Sequence, residues 1–246
     1  MNNILLTIEY DGTAYNGWQT QNNALAIQDI IEAALSELHD GKKVPVTGCS
    51  RTDAGVHALG YRCNFHTDSS IPADKFPFAL NPLLPWDIKV IVGEEVPESF
   101  HARHDARSKT YLYRFYYRTF ESPFLRKRAW NIKALPDIEA MRKAAALFLG
   151  THDFTAFMAA GGYPSTTVRT IFDARVEDDG DGKFAFYVKG DGFLYNMVRI
   201  MTGTLVYAGL GNISPEDIPA IIESKDRTRA GITAPPHGLY LYKVDY

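Results

Sequence analysis

Apolar and polar positions in the first 105 residues follow two periods, one typical of strands and one typical of a helix. From residue 27 to residue 38, apolar side chains recur at spacings of three and four, which predicts an amphipathic helix. Strand-like segments flank it, and a short helical stretch follows Pro72. The predicted strands are residues 3–10, 43–47, 59–66 and 86–96. The predicted order in this half is therefore β-α-β-β-α-β.

The second half repeats this order with one helix added. Pro136 favours the first turn of a helix and Gly150 favours its C-terminal end, so a helix is predicted between them. The run DDGDG is rich in turn residues and joins the two arms of a predicted hairpin. The predicted strands are residues 109–118, 168–177, 183–189 and 239–245, and the predicted helices are residues 136–149, 193 to about 208, and 215–223.

The repeated order predicts an α+β fold of two ferredoxin-like halves, side by side, with mostly antiparallel sheets and a central cleft. No low-complexity linker separates the halves, and residues 97–108 are the best boundary. We therefore predict a domain of residues 1–105 and a domain of residues 106–246. The same split βαβ unit underlies a common RNA-binding sheet domain, which makes the cleft a candidate RNA-binding site.

Charge is distributed unevenly along the chain. The formal net charge is −3, yet the segment from His101 to Arg128 holds eight basic residues and two acidic ones. This segment alternates basic residues with aromatic ones, as in KTYLYRFYYR. Such a combination suits RNA, because basic side chains bind phosphates and aromatic rings stack on unstacked nucleobases. An amphipathic strand with solvated arginines fits the segment equally well when it is considered alone. The candidate RNA contacts in it are Arg103, Arg107, Lys109 and Arg114.

The sequence GCSRTDAGVHA places Arg51 and Asp53 two positions apart among small residues. An aspartate in such a loop is most often a turn or helix-cap residue. Gly48 and Gly55 bracket this one, however, and would allow a substrate close to the backbone. An ionised aspartate near an arginine is also a competent nucleophile toward an electrophilic carbon. The motif alone is compatible with both interpretations, a structural turn and a catalytic nucleophile.

Two further residues are unusual. Arg199 is the only charge in FLYNMVRIMTGTLVYAGLG, so on a buried helix it needs either a partner anion, such as Asp53 or a phosphate, or a path to water. Tyr111 begins the aromatic strand, where alternation places Tyr113 and Phe115 on its side. Such a stripe is usually core, but the first member is the best placed to reach a cleft and stack on a base.

Other chemistry has weak support. His101 and His104 have metal-ligand spacing without an accompanying cluster, and the acidic hairpin turn lacks the closing glutamate of a calcium loop. Cys49 could act as a nucleophile beside His57, but a buried structural thiol is the better interpretation. The two cysteines and the absence of a leader-like start indicate a cytoplasmic protein with free thiols. The apolar, uncharged run of residues 200–215 is too short to span a membrane.

The motifs YDGTAYNGWQTQ, GCSRTDAGVHA, FHARHDARSKTYLYRF, GTHDFTAF, FLYNMVR and GLYLYKVDY occur in order over nearly the whole chain. Together they resemble the tRNA pseudouridine synthase A family. The resemblance implies a homodimer that converts uridine to pseudouridine at positions 38–40 of the tRNA anticodon stem-loop, without cofactor or metal. The chain departs from the family pattern at Ser50, where glycine is usual, and at Tyr61, where glutamine is usual.

The resemblance also assigns roles. It places the catalytic aspartate at Asp53, the tyrosine that contacts the substrate base at Tyr111, and the helix arginine that pairs with the aspartate at Arg199. Arg51 matches the arginine beside the nucleophile. Two other functions compete with the isomerase: a non-catalytic RNA-binding module of paired ferredoxin-like units, and a glycoside hydrolase. The hydrolase ranks last because no second carboxylate stands out near Asp53.

Overall fold

The computed structural model describes all residues from Met1 to Tyr246. Ten strands and five helices form, in chain order. The strands are β1 Asn2–Tyr10, β2 Thr47–Gly48, β3 His57–Thr67, β4 Ile88–Val96, β5 Ser108–Tyr117, β6 Trp130–Ile132, β7 Gly150–Asp153, β8 Val168–Gly180, β9 Lys183–Gly190 and β10 Leu239–Asp245. The helices are α1 Ile27–Glu37, α2 Phe76–Leu80, α3 Ile138–Ala146, α4 Met197–Gly209 and α5 Ile218–Ser224.

The chain divides into two compact units. The first contains Met1–Arg107 together with Tyr240–Tyr246, and the second contains Ser108–Leu239. The last residues group with the first unit because β10 pairs in parallel with β3, with Tyr240 opposite His57. The sequence-based domains, residues 1–105 and 106–246, place those last residues in the second half and stay a prediction.

The first unit has a mainly antiparallel sheet. β1 pairs antiparallel with both β3 and β4, and β2 adds a short antiparallel pairing to β3. Ile4, Leu6 and Ile8 on β1 are buried, and α1 buries Ile27 and Ile31. Leu5 on β1 is buried as well, so β1 is covered on both faces, whereas the three-and-four spacing on α1 produces the apolar face that the sequence predicts.

The second unit is built around an antiparallel ladder of β5, β9, β8 and β7, with β6 parallel to β5. Phe115 on β5 stacks on Phe184 of β9, with ring centroids 5.4 Å apart. Nearly all of β5 is buried, and Arg114 is its one fully exposed side chain. The α+β class with mostly antiparallel sheets is confirmed, whereas the ferredoxin-like character of the halves stays a prediction.

Most predicted elements are confirmed, and the differences have local causes. Residues 43–46 alternate as a strand would, but the Val46 N–H donates to the Glu32 carboxylate at 3.0 Å and not to a neighbouring strand. The apolar helix α4 begins at Met197, four residues later than predicted, because Asn196 is left-handed with φ 59°. Strands β6 and β7 were not predicted, since three or four residues are too short to show a period.

Helix α4 runs against backbone at Gly203. A Cβ at this position would lie 1.9 Å from the carbonyl oxygen of Ile232, which is closer than real Cβ contacts allow. Glycine therefore lets residues 231–232 cross the helix closely. Ala234 N–H then donates to the Arg199 carbonyl at 3.1 Å, so this crossing also fixes the segment that contacts Arg199.

Replacing Gly203 by alanine should lower stability. Alanine improves helix propensity by about 1 kcal/mol, but the overlap with the backbone of Ile232 costs about 2–3 kcal/mol. We expect a net loss of about 1–2 kcal/mol, seen as a Tm about 2–8 °C lower by calorimetry. Gly192→Ala is the control, because its Cβ would meet only the flexible Arg169 side chain, at 3.3 Å. An equal or higher Tm for Gly203→Ala than for the control would contradict the steric account.

Candidate active site

Asp53 lies on a tight turn between β2 and β3. Its carbonyl accepts the Val56 N–H at 3.1 Å, and Gly55, the third residue of this turn, has φ 76°. A positive φ at that position is typical of a type II turn and favours glycine. The Gly55 N–H donates to the Tyr15 carbonyl at 3.2 Å. Backbone groups therefore close the turn.

The segment from Asp11 to Trp18, part of the motif YDGTAYNGW, packs directly on this turn. A Cβ at Gly12 would lie 1.9 Å from the Val56 carbonyl oxygen, and one at Gly17 would lie 2.2 Å from the Thr52 carbonyl oxygen. Gly17 also has φ 87°. The Trp18 N–H donates to the Thr52 carbonyl at 3.2 Å. The two motifs thus form one unit in which backbone touches backbone, hereafter the Asp53 loop clamp.

Buried polar groups support the base of the same loop. The Thr52 hydroxyl and the Tyr10 hydroxyl are 2.8 Å apart. His57 is buried, stacks on Tyr240 with ring centroids 4.7 Å apart, and places Nδ1 3.0 Å from Asp11 Oδ1. Each side of Asp53 is therefore tied to a neighbouring strand through a side chain.

The two departures from the family pattern, Ser50 and Tyr61, contact each other. The Tyr61 hydroxyl donates to the Ser50 carbonyl at 2.5 Å, and its ring stacks on Trp18 with centroids 3.9 Å apart. Burial raises the pKa of Tyr61 well above its ordinary value, so the hydroxyl keeps the proton it donates. A Cβ at Gly48 would lie 2.2 Å from this hydroxyl, which explains the glycine. Sequence reasoning missed this stack, because its members are far apart in the chain.

Arg199 lies in the second unit, on the first turn of α4, and is half-buried. Its Nε donates to the Ala234 carbonyl and its Nη1 to Asn196 Oδ1, both at 2.7 Å. These two bonds fix the plane of the guanidinium, so the side chain is held by the protein and does not simply reach for water. The predicted pairing with Asp53 joins residues of two different units and stays a prediction.

Tyr111 lies on β5 and is buried, at 7% exposure. Its ring meets Phe193 edge to face, with centroids 5.1 Å apart. Tyr113, two residues along, is also buried and donates to the Pro235 carbonyl at 2.7 Å. Burial raises the pKa of Tyr113, and the positive charge of Arg199 lowers it by a smaller amount. Most of the predicted aromatic stripe is therefore core, and the base-contacting role of Tyr111 stays a prediction.

The predicted RNA contacts fall in both units. Arg51, Arg103 and Arg107 lie in the first unit, and Lys109 and Arg114 lie on β5 of the second. Arg51 and Arg103 border one pocket together with His101 and His104. Arg51, Arg103, Arg107 and Arg114 are exposed, while Lys109 is partly buried. The structure brings Arg51 and Arg103 together, and RNA contact by all five stays a prediction.

The structure holds neither a metal-binding cluster nor a membrane-spanning helix. No group of three or more His, Cys, Asp and Glu residues is placed to hold a metal ion. None of the helices combines the length and the apolar character that crossing a membrane requires. The acidic run at the end of β8 leads into the hairpin connection, and the Gly180 N–H donates to Asp178 Oδ1 at 2.9 Å.

Comparison with known proteins places these motifs in a family. The family model described as tRNA pseudouridine synthase matches residues 6–105 and 144–246. Three relatives named tRNA pseudouridine synthase A align over the full length of both chains. They come from Acetivibrio thermocellus at 52% identity, Ruminiclostridium cellulolyticum at 51% and Thermoanaerobacter sp. (strain X514) at 48%. The chain belongs to the tRNA pseudouridine synthase family.

Both cysteines should react slowly with thiol reagents. Cys49 and Cys63 are fully buried, and burial raises the pKa of the Cys63 thiol well above its ordinary value. A raised pKa lowers the thiolate fraction at pH 8, so reaction has to wait for local opening. We expect Ellman's reagent to label them on the order of a hundredfold more slowly in native protein than in denaturant.

The control for thiol labelling is Ser70→Cys, which adds one thiol at an exposed position. This thiol should react at once in the native protein while the two natural ones stay protected. Rapid labelling of a second thiol in native protein would show that Cys49 or Cys63 is accessible, and would return Cys49 to the candidate nucleophiles.

Proposed function

We propose that this protein is a tRNA pseudouridine synthase that isomerises uridine to pseudouridine at positions 38–40 of the anticodon stem-loop. The observation that carries the proposal is Asp53, held on a turn that the Asp53 loop clamp fixes through its backbone. Family membership over the full length of the chain supplies the reaction. A rigid loop that presents one carboxylate suits a reaction at one sugar carbon.

The isomerisation exchanges one bond for another without a co-reactant. The C1′–N1 glycosidic bond breaks, the uracil rotates, and a C1′–C5 bond forms. C5 loses its hydrogen as a proton, and N1 gains one. Asp53 can begin this sequence by attacking C1′, by attacking the ring, or by removing a sugar proton to give a glycal. Each of these steps requires the carboxylate form, which a nearby positive charge stabilises.

We assign three residues to the chemistry. Asp53 is the catalytic carboxylate, Arg199 pairs with it and keeps it ionised, and Tyr111 contacts the uracil and assists loss of the C5 proton. Support for Arg199 comes from its fixed guanidinium plane, since bonds to Ala234 and Asn196 orient it. Support for Tyr111 comes from its place at the start of β5, beside the basic segment.

The substrate is bound through its phosphates and an extruded base. We propose that tRNA is contacted by Arg51, Arg103, Arg107, Lys109 and Arg114. Basic side chains near an aromatic ring that can stack on a nucleobase suit the binding of single-stranded RNA loops. The target uridine has to leave its stack, which agrees with ferredoxin-like halves that leave an RNA-binding cleft between them. The proposal includes a cytoplasmic homodimer that works without cofactor or metal.

Replacing Asp53 by asparagine should abolish turnover while binding persists. Asparagine keeps the shape but cannot act as a nucleophile or base, so the rate should fall by at least about a hundredfold. Tritium release from tRNA labelled at uridine C5 measures this, since C5 loses its hydrogen only when the glycosidic bond migrates. Asp68→Asn, at an exposed position of the same unit, is the control and should keep the wild-type rate.

Two outcomes of the tritium assay would count against the proposal. Wild-type protein that binds tRNA and releases no tritium would favour the non-catalytic RNA-binding module. Full release by Asp53→Asn would leave the reaction in place and remove Asp53 from its assigned role.

Arg199 should control both turnover and pH dependence. Arg199→Lys keeps the charge but cannot donate to Ala234 and Asn196 in one plane, so kcat should fall about 10- to 100-fold. Arg199→Gln also removes the charge, which raises the pKa of a paired carboxyl. The acid limb of the pH–rate profile should therefore move to higher pH in Arg199→Gln and stay in place in Arg199→Lys.

The control for Arg199 is Arg142→Gln, since Arg142 lies exposed on α3 of the same unit and pairs with Glu139. Thermal unfolding of each variant separates a folding defect from a catalytic one. An unchanged acid limb in Arg199→Gln would refute the pairing with Asp53.

A further inference from the structure

A pocket of about 220 Å³ opens beside the Asp53 loop, within the first unit. Three segments form it. They are the end of the Asp53 loop clamp together with the start of α1, residues 46–51 before Asp53, and the basic turn of residues 101–104 before β5. The lining residues are Trp18, Gln19, Gln28, Val46, Thr47, Gly48, Ser50, Arg51, His101, Arg103 and His104. The pocket is smaller than the roughly 300 Å³ of a pocket for a drug-sized ligand, so it suits one polar group.

The lining of this pocket carries positive charge and no carboxylate. Arg51 and Arg103 contribute two guanidinium groups, and both are exposed and form no ion pair with an acidic side chain. Two acidic side chains adjoin the lining. The Glu32 carboxylate accepts from the Gln28 amide at 2.8 Å and from the Val46 N–H at 3.0 Å, and the Asp105 carboxylate accepts from the His101 N–H at 2.8 Å. Both carboxylates therefore accept hydrogen bonds from the lining itself. An anion is the ligand class that this distribution of charge favours.

The histidine pair adds hydrogen-bond donors. His101 Nδ1 accepts the N–H groups of Arg103 and His104, at 3.2 and 3.3 Å. A neutral imidazole whose Nδ1 accepts carries its proton on Nε2, so that nitrogen is the ring's donor. The His101 N–H donates to Asp105 Oδ2 at 2.8 Å, and the two rings lie 4.1 Å apart. The turn is thus built before any ligand arrives, with its side chains at the pocket.

The pocket is also close to the catalytic position along the backbone. Ser50 and Arg51 line it, and Asp53 follows Arg51 by two residues. Two residues of extended chain span about 7 Å at most. An anionic group in the pocket therefore belongs to the target nucleotide or to one of its immediate neighbours, provided that Asp53 acts on that nucleotide.

We propose that this pocket binds one phosphodiester of the RNA strand adjacent to the target uridine, with Arg51, Arg103 and the His101–His104 pair as its ligands. This inference rests on the proposed function, because it takes the substrate to be RNA. It deepens that function by assigning a separate subsite to the backbone, which fixes the register of the strand while the base is extruded. Contacts to phosphate position a nucleic acid without reading its sequence.

The test is a scan of the substrate backbone. Anticodon-arm RNAs each carry one neutral methylphosphonate at a phosphate near the target uridine, and their binding to Asp53→Asn protein is measured. One position should weaken binding about tenfold, as expected for a lost charge-assisted contact. In the Arg103→Gln background that same position should have little further effect, because its partner is already gone.

Lys42→Gln is the matched control. Lys42 is exposed in the same unit, lies outside the pocket lining and forms no ion pair, so it removes the same charge elsewhere. This variant should keep the wild-type pattern in the scan. Arg103→Gln should also lower the slope of log Kd against log salt by about one, and it should weaken binding to all RNA sequences equally.

The outcomes separate this inference from the proposed function. If methylphosphonate substitution weakens binding to Arg103→Gln and to Lys42→Gln equally at every phosphate, the proposed phosphate subsite is wrong, whatever the tritium assay shows. A flat scan combined with competition by inorganic phosphate would mean that the pocket takes a free anion and not the RNA backbone. The tritium assay on wild-type protein tests the isomerase independently of both results.

Discussion

The close approach of two backbone segments is the constraint on which the site depends. Gly12 and Gly17 come so near to Val56 and Thr52 that no side chain fits between them. Glycine loses the most conformational freedom on folding, so such positions are costly unless the contact itself is needed. Here the contact sets the height and direction of the turn that carries Asp53. The position of the Asp53 backbone therefore follows from close packing of two backbone segments.

Strand β3 anchors this arrangement to the sheet. Tyr61 and His57 both lie on this strand, and Tyr61 donates to the Ser50 carbonyl while His57 meets Asp11 and Tyr240. The loop is thus tied at its start and at its end to one element, which β1 and β10 hold on either side. The bond at the start of the loop joins the Tyr61 hydroxyl to the Ser50 backbone carbonyl, so it depends on the tyrosine at position 61.

The sequence predicts the parts of the fold that leave a local period. The strand β1 follows from its strand-forming residues, the helix α1 from three-and-four spacing, and the β8–β9 hairpin from its turn residues. It cannot predict where residues 43–46 bond, because the Glu32 carboxylate that takes the Val46 N–H comes from a helix. The motif containing Asp53 is visible as a cluster of small residues, but the Tyr61–Trp18 stack and the backbone contact of Gly17 are long-range. Such contacts need the three-dimensional structure, since neither partner carries a local signal.

The arginines of the candidate site are held in two different ways. Arg199 is bonded to Ala234 and Asn196, so its guanidinium is already fixed in one direction and suits a reaction that needs a charge at one point. Arg51 and Arg103 are exposed and have no acidic partner, so a phosphate can bind them without breaking an existing ion pair. In the proposed function, different arginines therefore supply affinity for a polyanion and precise placement of one charge, and the local contacts of each arginine suit its task.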